Sequence, residues 1–196
     1  VFGSVTRAVM ADRNDPAVER LYFLQGSGGT GKTYLYNTLL AWVKATDRRA
    51  IACATTGIAA LLLDGGATAH KTFFFFFYIN NESEPSIFYE THQADLLRTA
   101  DLIIIDEVSM MSKTIFEFID KTLRSVQPRN EFAMPFGGKV VLLGGDFKQL
   151  LPVAKGNTLD QLTICLKRSK LFRLFRNETL AVNMRVVPEE IEFVEF

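Results

Sequence analysis

The feature that most limits how this chain can fold is a glycine-rich segment, GSGGTGKT, at residues 26–33. It fits the phosphate-loop pattern G-x-x-x-x-G-K-[S/T] in full. The apolar segment LYFLQ precedes it, and Lys32–Ala45 follows with apolar residues at helical spacing, so we predict a strand, a loop and a helix in that order. Glycines let the backbone turn tightly enough for several N–H groups to converge on phosphate oxygens. The alternative is a flexible glycine turn before a helix, which this context disfavours.

Two residues of this loop can be given individual roles in binding a nucleotide with Mg²⁺. The ammonium group of Lys32 would reach the β- and γ-phosphates, and the hydroxyl group of Thr33 would coordinate Mg²⁺. We therefore predict a nucleotide-phosphate site made by Gly26, Ser27, Gly28, Gly29, Thr30, Gly31, Lys32 and Thr33.

Two adjacent carboxylates end a second apolar run, LIIIDE, at residues 102–107. A buried parallel strand here would bring Asp106 to the carboxyl edge of the sheet, beside the phosphate loop. Asp106 would then hold Mg²⁺ through a water molecule bound to the ion, and Glu107 would orient or deprotonate the attacking water. Taken alone, such a run is often only a strand end and an exposed turn, but the phosphate loop favours the catalytic interpretation.

Two later residues are candidates for contact with the γ-phosphate. Gln149, in GGDFKQ, follows a further apolar run and can hydrogen-bond the γ-phosphate or the attacking water; the alternative is a solvated glutamine in a turn. Arg185 could stabilise charge on the transferred phosphoryl group, although its position alone is more typical of a surface arginine.

The order of apolar and helical segments predicts an α/β fold with a parallel sheet flanked by helices. Strands are expected at 21–25, 50–55, 101–106, 139–143 and 178–182, and helices at 32–45, 57–63, 92–99 and 113–126, with a further helix beginning near 188. A length of 196 residues fits one domain.

Composition narrows the function classes only slightly. The formal net charge is zero, which argues weakly against a nucleic-acid partner, because a local groove can be basic on a neutral protein. The two cysteines, Cys53 and Cys165, fit reduced thiols better than a disulfide or a metal site, and we expect an intracellular protein.

A run of five phenylalanines, Phe73–Phe77, is the most unusual segment. Thr72–Ile79 is only about a third of the length that a membrane-spanning helix needs, so we expect no membrane segment. As an extended segment it would send Phe73, Phe75 and Phe77 to one face and Phe74 and Phe76 to the other. One face could pack on the core, and the other could be a surface for stacking bases; burial of all five rings is the alternative.

The motifs GSGGTGKT, ATTGIAALLLDGGATAH, LIIIDEVSMM, FGGKVVLLGGDFKQLLPV and LAVNMR occur in the order seen in the Pif-one-like (petite integration frequency) DNA helicases, including Helitron-type helicase domains. The chain resembles this family from about residue 21 to residue 185. The resemblance implies a RecA-like domain that binds ATP and Mg²⁺ and works on single-stranded or fork DNA in the 5′ to 3′ direction.

The resemblance also implies residue roles. Lys32, Thr33, Asp106 and Glu107 keep the roles given above, Gln149 would couple the γ-phosphate to the DNA surface, and Arg185 would act like an arginine finger. The second quoted motif implies DNA contacts by Thr56, Gly57, Thr68, His70 and Lys71.

The resemblance further implies that residues 1–196 are one motor domain, with a wedge-like inserted element at 72–92. A glutamine motif before the phosphate loop is not clear, and the motifs of a second motor domain are missing. We expect a monomer that does not unwind DNA alone, located in the nucleus or mitochondrion if eukaryotic. Another P-loop enzyme such as a nucleotide kinase, or a non-catalytic nucleotide-binding scaffold, remains an alternative.

Overall fold

The computed structural model describes residues 1–13, 15–75, 79–80, 82–87, 90–128, 133–148 and 165–184. Its helices are α1 (Phe2–Met10), α2 (Lys32–Ala45), α3 (Gly57–Leu61), α4 (Ala69–Phe73), α5 (His92–Thr99) and α6 (Lys113–Ser125). Its strands are β1 (Leu21–Gly26), β2 (Ala50–Ala54), β3 (Ala67–Thr68), β4 (Leu102–Asp106), β5 (Val140–Gly145) and β6 (Arg176–Leu180). Short 3₁₀ turns lie at 108–110, 135–138, 166–168 and 171–174.

The strands form one parallel sheet in the order β3-β2-β4-β5-β1-β6. Every residue of β4 and β5 is buried, as expected for central strands covered on both faces. Because all strands run the same way, their carboxyl ends meet at one edge, which we call the carboxyl rim. The predicted parallel α/β fold is confirmed.

Alternate residues of each strand enter two separate cores. Leu102 and Ile104 face a mainly aliphatic core that includes residues of α1 and α2. Ile103 and Ile105 face a core rich in phenylalanine that includes residues of α5 and α6. This alternation follows from the two-residue period of a strand and fixes each helix to one face of the sheet.

Most predicted elements are present, with shifts of one or two residues at their ends. Helices α2 and α5 have the predicted bounds, whereas β6 begins at Arg176 rather than at Glu178. Helix α1 was not predicted, although Val5, Ala8 and Val9 are buried at helical spacing. Strand β3 and helix α4 were also missed. The helix predicted near residue 188 lies outside the described residues.

The expectation of an extended phenylalanine segment is wrong for the part that the structure describes. Phe73 ends α4, and Phe74 follows in the left-handed conformation, with φ 50° and ψ 44°. Phe73 and Phe75 are nevertheless buried, while Phe74 is 52% exposed. The turn after the helix therefore produces the inward–outward alternation that was attributed to a strand. Phe76 and Phe77 lie outside the described residues.

The segment predicted as an inserted element is docked onto helix α6. Its first two residues, Thr72 and Phe73, belong to α4, and the described residues between 74 and 91 form turns without a helix or strand. The ring of Phe75 meets that of Phe118 edge-on at 6.1 Å, and Lys121 lies 3.7 Å from Glu84.

Two expectations concerned features that the chain is predicted to lack, namely a membrane-spanning segment and a disulfide or metal site at its cysteines. None of the described helices combines the length and apolar character needed to cross a bilayer. Cys53 and Cys165 are both buried and free, and burial raises the pKa of the Cys53 thiol to about 12.

Candidate nucleotide and DNA site

The loop between β1 and α2 has the backbone shape of a phosphate cradle. Gly29 and Gly31 have φ values of 85° and 89°, which favour glycine because it lacks a Cβ atom. Gly31 directly precedes α2, so the loop leads into the amino-terminal end of a 14-residue helix. Unpaired N–H groups and the helix dipole make this end attractive to anions.

The side chain of Lys32 is held against this loop. Its Nζ donates to the carbonyl oxygen of Gly26 at 2.5 Å and to that of Ser27 at 3.2 Å. Both carbonyl groups belong to the loop itself, so the ammonium group lies where phosphate oxygens would enter. Thr33 is half-buried in the first turn of α2.

Asp106 ends β4 at the carboxyl rim, where it is 5% exposed. The fully buried Tyr36, one turn after Lys32 on α2, donates its hydroxyl proton to Asp106 Oδ1 at 3.3 Å. Space for this contact depends on Gly144 in β5: a Cβ atom there would lie 1.7 Å from the Tyr36 hydroxyl oxygen and 2.7 Å from Asp106 Oδ1.

Several carboxylates interact electrostatically at the rim. Burial raises the pKa of Asp106, and the Glu107 N–H, Lys32 and Tyr36 oppose that rise. Burial also raises the pKa of Glu107, with further contributions from the charges of Asp106 and Asp146, while Lys32 opposes them. Glu107 itself has φ 57° and ψ 35°, a conformation uncommon for a residue with a side chain.

This donor set fits a hard divalent cation shared with phosphates. The described residues contain no cluster of three His, Cys, Asp or Glu side chains able to hold a metal ion by themselves. Mg²⁺ commonly takes only one or two protein carboxylates, together with phosphate oxygens and waters. Asp106 and Thr33 offer oxygen ligands of that kind, and a cation would offset the mutual repulsion of Asp106 and Glu107.

Thr55 connects the end of β2 to the two acidic residues. Its N–H donates to the carbonyl oxygen of Asp106 at 3.1 Å. Its hydroxyl group lies 3.3 Å from that oxygen and 3.0 Å from the carbonyl oxygen of Glu107. The backbone around Glu107 is therefore tied to the segment that begins with Thr56.

The residues predicted to contact DNA lie at the same edge of the sheet. Thr56 and Thr68 are the N-caps of α3 and α4 and accept hydrogen bonds from Ala59 N and Lys71 N. In the sheet, Thr68 pairs with Ala54, which pairs with Asp106. At about 4.8 Å per strand, the Thr68 and Asp106 backbones are about 10 Å apart. Gly57, His70 and Lys71 are exposed.

Two predicted residues, Gln149 and Arg185, lie outside the described residues. The described chain beside them ends at Lys148 and at Met184. The Met184 N–H donates to the carbonyl oxygen of Gly29 at 2.9 Å, so the segment after β6 returns to the phosphate loop.

The structure brings three residues into the site that were not predicted from the sequence: Tyr36, Thr55 and Gly144. Only Tyr36 had a local signal, since its position four residues after Lys32 places both on one side of α2. The contacts of Thr55 and Gly144 depend on the strand order.

Several known proteins resemble this chain in sequence. The family described as PIF1-like helicase matches residues 1–195. The ATP-dependent DNA helicase PIF1 of Trypanosoma brucei brucei is 31% identical over 181 residues, which are 87% of this chain and 18% of that protein. The human ATP-dependent DNA helicase PIF1 is 35% identical over 139 residues, or 69% of this chain and 20% of that protein.

A solved structure of similar fold is the Pif1 helicase from Bacteroides in complex with ADP-AlF3 and single-stranded DNA. It superposes with a TM-score of 0.78 at 29% identity, covering 99% of this chain and 44% of that one. The fold is therefore that of a RecA-like domain. This chain spans less than half of the Bacteroides protein and about a fifth of these two curated relatives.

Proposed function

The chain belongs to the PIF1-like helicase family, and from that premise we propose that it is the first motor domain of an ATP-dependent DNA helicase that moves 5′ to 3′. The observation that carries the proposal is that the candidate nucleotide site and the segment proposed to grip DNA adjoin each other along the carboxyl rim. Lys32 and Asp106 lie within electrostatic range of each other, and Thr55 joins the Asp106–Glu107 backbone to the segment proposed to grip DNA.

In this proposal the loop at residues 26–33 binds the phosphates of ATP through its N–H groups. Lys32 gives up its bonds to the Gly26 and Ser27 carbonyl groups and turns its ammonium group to the β- and γ-phosphates. Thr33 and Asp106 would hold Mg²⁺, and Tyr36 fixes the orientation of the Asp106 carboxylate. An ion held there would offset negative charge on the phosphate oxygens.

Glu107 is the residue we propose to accept a proton from the attacking water. Its carboxylate directly follows Asp106 in the chain, at the carboxyl rim beside the phosphate loop, and is only partly exposed to solvent. Gln149 would orient the water or the γ-phosphate, and Arg185 would stabilise charge in the transition state.

For DNA, we propose that Thr56, Gly57, Thr68, His70 and Lys71 contact the phosphate backbone of one strand. The N-cap positions of Thr56 and Thr68 and the exposure of the other three support this role. The resemblance places a second motor domain against the nucleotide, and that domain would complete the site. We therefore propose that residues 1–196 alone hydrolyse ATP very slowly. The working unit is proposed to be a monomer.

The test is ATP hydrolysis with and without single-stranded DNA, measured for this chain joined to a second motor domain. We expect strong stimulation by DNA, because Thr55 links the two sites. The Lys32→Ala variant should bind ATP about 10- to 150-fold more weakly, the equivalent of one lost hydrogen bond between charged groups. Hydrolysis without stimulation would contradict the helicase proposal, and equal ATP affinity in Lys32→Ala would favour a non-catalytic scaffold.

Thr55→Val is expected to lower DNA-stimulated kcat by about 2- to 13-fold, since valine keeps the shape of threonine but loses one hydrogen bond worth about 0.5–1.5 kcal/mol. The KM for ATP should not change, because the Thr55 hydroxyl group bonds to the backbone carbonyl groups of Asp106 and Glu107 rather than to the proposed phosphate and Mg²⁺ ligands. Steady-state kinetics would separate these effects. Thr55→Ser retains the hydroxyl group and should restore the rate; a Ser variant as slow as Val would show that the hydroxyl bond is not responsible.

A further inference from the structure

A cleft of about 530 Å³ opens beside α4, on the DNA side of the rim. Its lining includes His70, Phe74, Phe75, Ile87 and Gln93. The volume falls within the range of about 300–1,000 Å³ typical of sites for small organic groups. None of the residues to which we give a role in nucleotide hydrolysis lines this cleft.

One wall of the cleft is an exposed ring held by a fixed backbone. Phe74 is 52% exposed, between two neighbours that are 0% and 7% exposed. Its left-handed backbone conformation turns the chain at this point. The Ser86 hydroxyl group donates to the Phe74 carbonyl oxygen at 2.9 Å, which anchors the same peptide from the other side of the cleft. The ring is thus offered to solvent from a backbone with little freedom.

Two further rings, those of His70 and Phe75, also line the cleft. The ring centroids of His70 and Phe75 are 4.3 Å apart, with an angle of 54° between the planes. Phe75 is itself packed edge-on against Phe118 of α6. Contacts of this kind restrict both rings, so the cleft has planar ring surfaces held by packing, with Phe75 in the buried core and His70 at the surface.

The cleft also offers a polar group with a defined direction. Gln93 donates from Nε2 to the carbonyl oxygen of Thr72 at 2.7 Å, which fixes the orientation of its amide. Its Oε1 atom accepts no hydrogen bond from the residues that the structure describes and can accept one from a ligand. A planar ring with N–H groups on its edge would match both the aromatic walls and this acceptor.

We propose that this cleft binds one base of a DNA single strand, by stacking on Phe74. The inference rests on the proposed function, and it adds that this chain contacts a base of the DNA strand as well as its phosphates. We propose above that His70 and Lys71 contact the DNA backbone. Both lie in α4, and Phe74 is the C-cap residue of that helix, four residues after His70 and three after Lys71. A strand held there by its phosphates would have its bases at the mouth of the cleft.

The experiment measures the affinity of this chain for a fluorescein-labelled mixed-sequence DNA single strand at several salt concentrations. Phe74→Ala should weaken binding by about 5- to 150-fold, since stacking of one base is worth about 1–3 kcal/mol. The dependence of log Kd on log salt should stay the same, because no phosphate contact is lost. Phe74→Trp should bind at least as well as the wild-type chain.

Two matched controls separate the cleft from the rest of the surface. Leu174→Ala truncates an apolar residue that is also 52% exposed but lies outside the cleft, and it should bind DNA normally. Lys71→Ala should weaken binding and reduce the salt slope by about one. Thermal denaturation checks that each variant folds. Phe74→Leu keeps an apolar side chain of similar bulk but has no π-face, so it should lose affinity for DNA as Phe74→Ala does.

A strand carrying 2-aminopurine gives an independent signal. Stacking on Phe74 should quench its fluorescence in the wild-type chain, and Phe74→Ala should abolish that quenching. Unchanged affinity and quenching in Phe74→Ala, together with weaker binding by Lys71→Ala, would overturn the base site while leaving the proposed function intact. A wild-type chain that binds no single strand would overturn both.

Discussion

Replacing Glu107 with Gln is expected to lower the rate of ATP hydrolysis by about 10²- to 10⁴-fold, the usual contribution of one general base. Glutamine has nearly the shape of glutamate but cannot accept the proton of the attacking water. The backbone around residue 107 should be retained, because Thr55 bonds to its carbonyl group rather than to its side chain.

The same variant should keep its affinity for ATP. The proposed phosphate and Mg²⁺ ligands are Lys32, Thr33 and Asp106, and loss of the Glu107 charge removes a repulsion acting on Asp106. Single-turnover hydrolysis and nucleotide titration, both on the two-domain protein, measure the two properties separately. Glu19→Gln is a suitable control, since Glu19 pairs with Arg176 at the opposite edge of the sheet. Hydrolysis by Glu107→Gln within tenfold of the wild-type rate would mean that another group is the base.

Gly144→Ala should be strongly destabilising and should also impair nucleotide binding. The added Cβ atom would overlap the hydroxyl oxygen of Tyr36 at 1.7 Å, and Tyr36 is fully buried in a close-packed core. Overpacking of this kind costs about 1–3 kcal/mol and occasionally more. A loss of 3 kcal/mol corresponds to a fall in Tm of about 6–12 °C for a domain of this size.

Thermal denaturation with a second substitution tests the cause. Adding Tyr36→Phe removes the overlapping oxygen but leaves the ring carbon at 2.8 Å, so recovery of Tm should be partial. Gly3→Ala in α1, where a Cβ atom would meet nothing within 4 Å, should leave Tm unchanged or slightly higher. A Gly144→Ala variant that melts like the wild-type chain would show that Tyr36 does not fill this space.

The sequence predicted the parts of the site that are encoded locally. The phosphate loop and the Asp106–Glu107 pair each combine a motif with an apolar strand, and both occur where predicted at the carboxyl rim. The order of strands could not be read from the sequence, because parallel strands are joined by helices and any two can become neighbours. The contact between Gly144 and Tyr36, and the bond from Thr55 to Glu107, depend on that order.

Other errors have local causes. Strand β3 has only two residues, too few to show any alternation. Five identical side chains carry no periodicity at all, so the sequence could not reveal that a helix ends within the phenylalanine run. The left-handed turn at Phe74 arises from tertiary contacts of its neighbours, since Phe73 and Phe75 are both buried in the same core.

The segment from α3 to α4 passes around the outer edge of the sheet, and its two ends are buried on opposite faces. Ala60 and Leu63 belong to the aliphatic core, whereas Ala69 and Phe73 belong to the aromatic one. If a DNA strand binds this segment as proposed, a pulling force on that strand would therefore be transmitted to the cores on both faces of the sheet. Detaching the segment would require the packing of both cores to be disrupted together. This arrangement suits a DNA-binding segment that is under tension.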